Sequence, residues 1–131
     1  MKTLVVEDDF TSRLLLQTFL ADFGECHVAV NGREAVLAFD ASIKKGKPYD
    51  LICLDIMLPE LSGHEVLKSI REIEERADLA LEHGAKVIMT SALSDMKTVV
   101  SSFRELCDAY LVKPIDTQEL VNHLRSFKLI S

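Results

Sequence analysis

No stretch of this sequence is apolar for long enough to cross a bilayer, which takes about 20 consecutive apolar residues. The N-terminus, MKTLVVEDD, turns acidic too soon for a secretory signal peptide. No block of lysine and arginine offsets the net charge of -6, so nonspecific nucleic-acid binding has no electrostatic footing. The three cysteines, Cys26, Cys53 and Cys107, are odd in number and lack CxxC spacing, which argues against a disulfide framework or a metal site. Each lies in or beside an apolar segment and is expected as a buried free thiol. The histidines (His27, His64, His83 and His123) are scattered without zinc spacing, and His64 is expected at the surface. Linkers, internal repeats and low-complexity tracts are also missing. These absences point to a reduced, cytoplasmic setting, with neither membrane nor nucleic acid as partner.

What is present suits one domain with one core: 131 residues, of which 48% are hydrophobic. Short β-branched or apolar runs at 3–6, 26–30, 51–54, 86–90 and 110–112 read as strands, and each is followed by a helical pattern. The first helix, over 10–23, carries Leu16, Leu20 and Phe23 at i, i+4 and i+7, with Leu15 and Phe19 widening the stripe. Leu14 falls on its other side. Asp9 or Thr11 is placed to cap that helix, and Gly24 to stop it. The second helix runs through Ala35, Val36, Ala38 and Phe39 to about Gly46; the third runs through Val66, Leu67, Ile70 and Ile73. The fourth covers roughly 95–106, with Met96, Val99, Val100 and Phe103, and the last covers 117–127, with Leu120, Val121 and Leu124.

Strands alternating with helices predict an α/β fold: a five-stranded parallel sheet, helices on both faces, right-handed crossovers. The doubly wound, flavodoxin-like order 2-1-3-4-5 is the natural one for this strand count. In that order strands one and three are neighbours, so the acidic run Glu7-Asp8-Asp9 and the strand-end Asp55 converge at one mouth. Ser91 and Lys113, ending strands four and five, flank the same mouth.

Each of these residues alone has an ordinary reading: Asp55 as a turn cap, Ser91 as a turn residue, Lys113 as a solvated lysine, the acidic run as a helix start. Together, each on its own strand end, they make a site. Carboxylates packed this closely repel, and a hard cation relieves the repulsion; Mg²⁺ favours one or two carboxylates, waters and phosphate oxygens. Asp55 is then a carboxylate nucleophile able to form an aspartyl phosphate. Mg²⁺ and the Lys113 ammonium would balance charge on the transferring oxygens, and the Ser91 hydroxyl would donate to one of them.

The motifs LVVEDD, LDIMLPELSG, VIMTSA and YLVKP, in this order and spacing, resemble the response-regulator receiver domain of two-component signalling over nearly the whole chain. The resemblance implies Asp55 as phosphoacceptor, with Glu7, Asp8 and the Met57 carbonyl joining it as Mg²⁺ ligands. It implies Ser91 and Tyr110 as switch residues, Lys113 as the phosphoryl-contacting lysine, and a cis Lys113-Pro114 peptide. A histidine kinase or histidine phosphotransferase is the implied donor. The face of the fourth helix, fifth strand and fifth helix is the implied docking surface for an unknown target. The chain is expected to form a single receiver domain over 1–131 with no output domain, and to be no enzyme beyond its own phosphoryl transfer and dephosphorylation. Met57 and Leu93, two residues past Asp55 and Ser91, are expected to border the phosphoryl group and, being apolar, to hold no water in line for hydrolysis.

Departures are visible too. Leu106-Cys107 stands where the family commonly has Gly-Ala, which removes an easy stop for the fourth helix, and the stretch 74–85 is longer than usual. A flavodoxin would need a polar, glycine-rich phosphate loop where Glu7-Asp8-Asp9 stands, and a haloacid-dehalogenase-type phosphatase a second aspartate where Met57 stands. The remaining alternative is a pseudo-receiver, a protein-binding module that keeps the fold without the chemistry.

Overall fold

The computed structural model describes residues 1–79, 84–92 and 106–131. The strands are β1 (Thr3–Val6), β2 (Cys26–Ala29), β3 (Leu51–Asp55), β4 (Lys86–Ser91) and β5 (Ala109–Val112). They form one sheet in the order β2-β1-β3-β4-β5, every neighbouring pair parallel, as the sequence predicts. The helices are α1 (Phe10–Leu20), prolonged by a 3-10 turn at Ala21–Phe23, α2 (Gly32–Lys44), α3 (Gly63–Arg76) and α4 (Thr117–Ser126). The helix expected at 95–106 lies outside the described residues apart from Leu106, and so do Leu93 and His83.

β1 and β3 are buried along their whole length, as strands in the middle of a parallel sheet must be. Alternation divides their side chains between two cores. Leu4, Val6, Ile52, Leu54, Val87 and Met89 pack with Phe39, Val66, Leu67 and Ile70, under α2 and α3. Val5, Leu51, Cys53, Ile88 and Leu111 pack with Leu16, Leu20, Leu120 and Leu124, under α1 and α4.

Local differences from the sequence reading have physical causes. β2 stops at Ala29 because the Val30 N–H donates to the Glu34 carboxylate, in a helix start capped by Asn31. Asp9 caps α1, its carboxylate accepting from the Ser12 N–H at 2.9 Å. Leu15, expected in the buried stripe, is 43% exposed; α1 rolls onto Leu16 and Leu20, leaving Leu15 in an open groove with Leu14 and Phe19. Of the cysteines, all free, Cys53 alone is fully buried; Cys26 lies on the edge strand and Cys107 in the turn before β5, and both are half-buried.

The segment with Leu106-Cys107 in place of Gly-Ala is anchored from a neighbouring helix. From α3, Arg71 donates through Nε to the Leu106 carbonyl at 2.8 Å and through Nη1 to the Ala85 carbonyl at 2.9 Å. It also pairs with Glu74 at 2.6 Å and Asp108 at 3.2 Å. Glu74, 1% exposed, accepts the Ala85 N–H at 2.6 Å, and Asp108 accepts the Val87 N–H at 2.8 Å. One guanidinium thus pins the entrances of both β4 and β5 to α3. Among the described residues no helix is long and apolar enough to cross a membrane.

Candidate functional site

Strand alternation explains how distant residues meet. Glu7, Asp55 and Lys113 each lie two positions beyond a residue of the α1/α4 core, namely Val5, Cys53 and Leu111. The period of two carries that direction past the strand ends, so the three side chains emerge on one face at one edge. Oxygens of Glu7, Asp8 and Asp55 lie within 4.8 Å of one another, Glu7 and Asp55 buried and Asp8 exposed. Lys113 Nζ stands 2.5 Å from Glu7 Oε1 and 3.2 Å from Asp55 Oδ2. Its backbone is held by an N–H bond to the Ser91 carbonyl at 2.8 Å, and the Lys113-Pro114 peptide is cis, as the resemblance implies.

Asp55 is oriented from both sides: Oδ1 accepts the Met57 N–H at 3.1 Å and Oδ2 accepts from Lys113. The loop after it folds back tightly, with the Gly63 N–H donating to the Ile56 carbonyl at 2.9 Å. A Cβ at position 63 would meet the Asp55 carbonyl oxygen at 2.4 Å, so the glycine is what lets α3 start beside the strand end.

The electrostatics are those of a crowded acidic site. Burial, reinforced by the neighbouring Asp55, pushes the Glu7 carboxyl up to about 7 against the downward pull of Lys113. Burial alone would lower Lys113, but its contacts with Glu7 and Asp55 outweigh this and raise it. Glu7 Oε1 is buried without an aligned hydrogen bond: Lys113 approaches closely but off the favoured direction. Three carboxylates around such an oxygen fit a hard, oxygen-seeking divalent cation.

Other predicted residues stand differently. Ser91, buried at the end of β4, continues the alternation of Val87 and Met89 and so belongs to the α2/α3 side. Tyr110, paired in register with Met89, packs on that same core and reaches the Cys107 thiol. Met57 is 60% exposed at the rim, and Leu93 lies outside the described residues. Two residues escape the sequence reading. Thr90, buried and the register partner of Asp55, shares the acidic face; continuing the strand alternation one residue back from Ser91 would have found it. Arg13 donates to the Glu7 and Asp8 carbonyls, a role with no motif to announce it.

Comparison with known proteins agrees with this geometry. The response regulator receiver domain family matches residues 3–125. The probable transcriptional regulator ycf27 of Pyropia yezoensis is 34% identical over 95% of this chain and 46% of its own length. The transcriptional regulatory protein PcoR of Escherichia coli is 32% identical over 95% and 50%. The chain therefore spans about half the length of these curated relatives. Among solved structures, one is the Saccharomyces cerevisiae complex of the histidine phosphotransfer protein Ypd1 with the Ssk1 receiver domain. It matches with a TM-score of 0.79 and 26% identity, over 97% of this chain and 88% of the other. Another is the PA1611 receiver domain of Pseudomonas aeruginosa PAO1, which holds a magnesium ion in its active-site cleft. It matches at 0.70 and 25%, over 96% and 95%. With the expected sheet order and a match along nearly its whole length, the chain belongs to the response regulator receiver domain family.

Proposed function

We propose that Asp55 accepts a phosphoryl group from a phosphohistidine of a histidine kinase or histidine phosphotransferase. The acyl phosphate then alters a protein-binding face. The observation that carries this reading is the setting of Asp55 at the end of β3, held between the Met57 N–H and the Lys113 ammonium and facing Glu7 and Asp8. A carboxylate oxygen attacks phosphorus, the N–P bond breaks, and the imidazole nitrogen leaves with its electron pair. The two contacts fix the plane of the carboxylate before the donor arrives, which removes orientational freedom from the barrier. Lys113 offsets charge gathering on the transferring oxygens. Glu7, Asp8 and Asp55 would hold Mg²⁺, with the Met57 carbonyl added by the family resemblance. When bound, the ion supplies a counter-charge for phosphate oxygens. The magnesium-bound PA1611 domain and the Ypd1–Ssk1 complex support the metal and the donor class.

Once Asp55 is phosphorylated, the Ser91 hydroxyl turns toward the new oxygens and leaves room on the Tyr110 side of the sheet. The tyrosine moves in behind it and reshapes the surface formed by β5 and α4, with residues 95–106 expected alongside. This shifts an equilibrium that exists before phosphorylation. The target is a protein, and the chain turns over no external substrate. The test is incubation with Mg²⁺ and acetyl phosphate or a phosphohistidine donor, followed by mass spectrometry of the labelled peptide. Label on Asp55, lost in Asp55→Asn, is expected. An Asp55→Asn variant labelled at the wild-type rate would remove Asp55 from its role, and a wild type that takes no label would leave a binding module.

A further inference from the structure

The loop carrying Glu7 and Asp8 is short, running from the end of β1 at Val6 to the α1 cap at Asp9. Its first nitrogen is still held by the sheet: the Glu7 N–H donates to the Ala29 carbonyl at 3.1 Å. Its carbonyls have left the ladder. Those of Glu7 and Asp8 are both taken by one nitrogen, Nη1 of Arg13, at 3.1 and 3.2 Å. A terminal guanidinium nitrogen has two N–H bonds, so each carbonyl can receive its own. Arg13 is braced in turn: its backbone N–H closes the first turn of α1 on the Asp9 carbonyl at 2.9 Å, and its guanidinium lies 5.6 Å from the centre of the Phe10 ring.

Fixing two successive carbonyls fixes the peptide planes between β1 and α1, and with them the directions in which the Glu7 and Asp8 side chains leave the backbone. The geometry points to Arg13 as a positioning residue that aims this acidic pair at a divalent cation. The role rests on reading Glu7 and Asp8 as cation ligands. Arg13 touches neither carboxylate in doing so; its bonds are to the backbone. This separates it from Lys113, which contacts the carboxylates of Glu7 and Asp55 directly.

A guanidinium beside three carboxylates also has a simpler effect, which is to relieve their repulsion and compete with the cation. The two effects have opposite signs. If charge dominates, removing Arg13 tightens Mg²⁺ binding. If positioning dominates, removing it weakens binding, by about tenfold if it behaves like other outer-shell partners of metal ligands. Lysine keeps the charge but lacks the planar fork that rests on Phe10, so Arg13→Lys weakens binding by a smaller factor.

The experiment is titration of the unphosphorylated protein with Mg²⁺, followed by amide chemical shifts in the folded population, for wild type, Arg13→Met and Arg13→Lys. The expected result is weaker binding in both variants, with shifts at Glu7 and Asp8 already displaced before metal is added. Arg13→Met binding as tightly as wild type, or more tightly, overturns the assignment. Should Arg13→Met not fold, Arg13→Lys decides: weaker binding supports positioning, and unchanged affinity overturns it. A wild type that binds no Mg²⁺ would instead overturn the cation reading itself, a failure visible before any variant is made.

Discussion

Replacing Arg71 by methionine should be among the most destabilising single changes in this chain that leave the acidic mouth untouched. Among the described residues the side chain makes four polar contacts, to the Leu106 and Ala85 carbonyls and to the Glu74 and Asp108 carboxylates. Without it, the 1%-exposed Glu74 keeps, among the described residues, only the Ala85 N–H as partner, and two carbonyls lose a charged donor. Breaking a buried ion pair from one side costs roughly 3–5 kcal/mol, because the surviving charge stays buried. Arg71 retains 22% of its side-chain exposure, so water recovers part of that and the lower figure, about 3 kcal/mol, is expected. Equilibrium urea unfolding reads this directly; with a slope of about 1–3 kcal/mol per molar, the midpoint should fall by roughly 1 M or more. The double variant Arg71→Met/Glu74→Gln should recover part of the loss, since the amide removes the stranded charge and can still accept from Ala85. A single variant within about 1 kcal/mol of wild type, or a double variant no better than the single, would refute the account. Mg²⁺ affinity should not change, because the clamp grips the entering ends of β4 and β5 while the acids stand at the exits of β1 and β3.

Glu7→Gln with Asp8→Asn should abolish Mg²⁺ binding in a calorimetric titration, yet leave the metal-free protein at least as stable as wild type, because repulsion and desolvation in the acidic site are relieved; a lower melting point in EDTA would contradict this. Met57→Asn should speed loss of the phosphoryl group by up to about tenfold at fixed Mg²⁺, since a polar side chain at the exposed rim can hold water in line where methionine cannot; a rate no faster than wild type would sink the idea. Burial pushes the Cys53 thiol up to about 12, so its reactive thiolate is scarce until the pH nears that value. Iodoacetamide at mildly alkaline pH should modify the half-buried Cys26 and Cys107 first, and mass spectrometry showing Cys53 labelled as fast in the folded protein would contradict the packing.

The sheet order and the meeting of Glu7, Asp8, Asp55 and Lys113 are legible in the sequence for one reason. Apolar runs that end on charged residues mark both the strands and the edge where their ends gather. What escapes depends on rotations and paths that no local pattern encodes. Leu15 and Phe19 sit on a helical stripe whose edges are ambiguous, and the roll of α1 onto Leu16 and Leu20 decides which is wet. Arg13 is a helix-surface cation by pattern; its bonds to two carbonyls exist only because the loop turns back over it. The sequence shows Leu106-Cys107 where a glycine is usual, but the residue that anchors the Leu106 carbonyl lies 35 positions earlier, on α3.

Thr90 and Ser91 are consecutive in β4 yet belong to opposite sides of the sheet, one beside Asp55 and the other with Tyr110. The sheet is therefore a partition, with the acidic cluster on one side and the two proposed switch residues on the other, and a single peptide unit is the narrowest crossing between them. A one-residue insertion or deletion within β4 would carry each hydroxyl to the opposite face and part Thr90 from Asp55, even with Glu7, Asp8, Asp55 and Lys113 all in place.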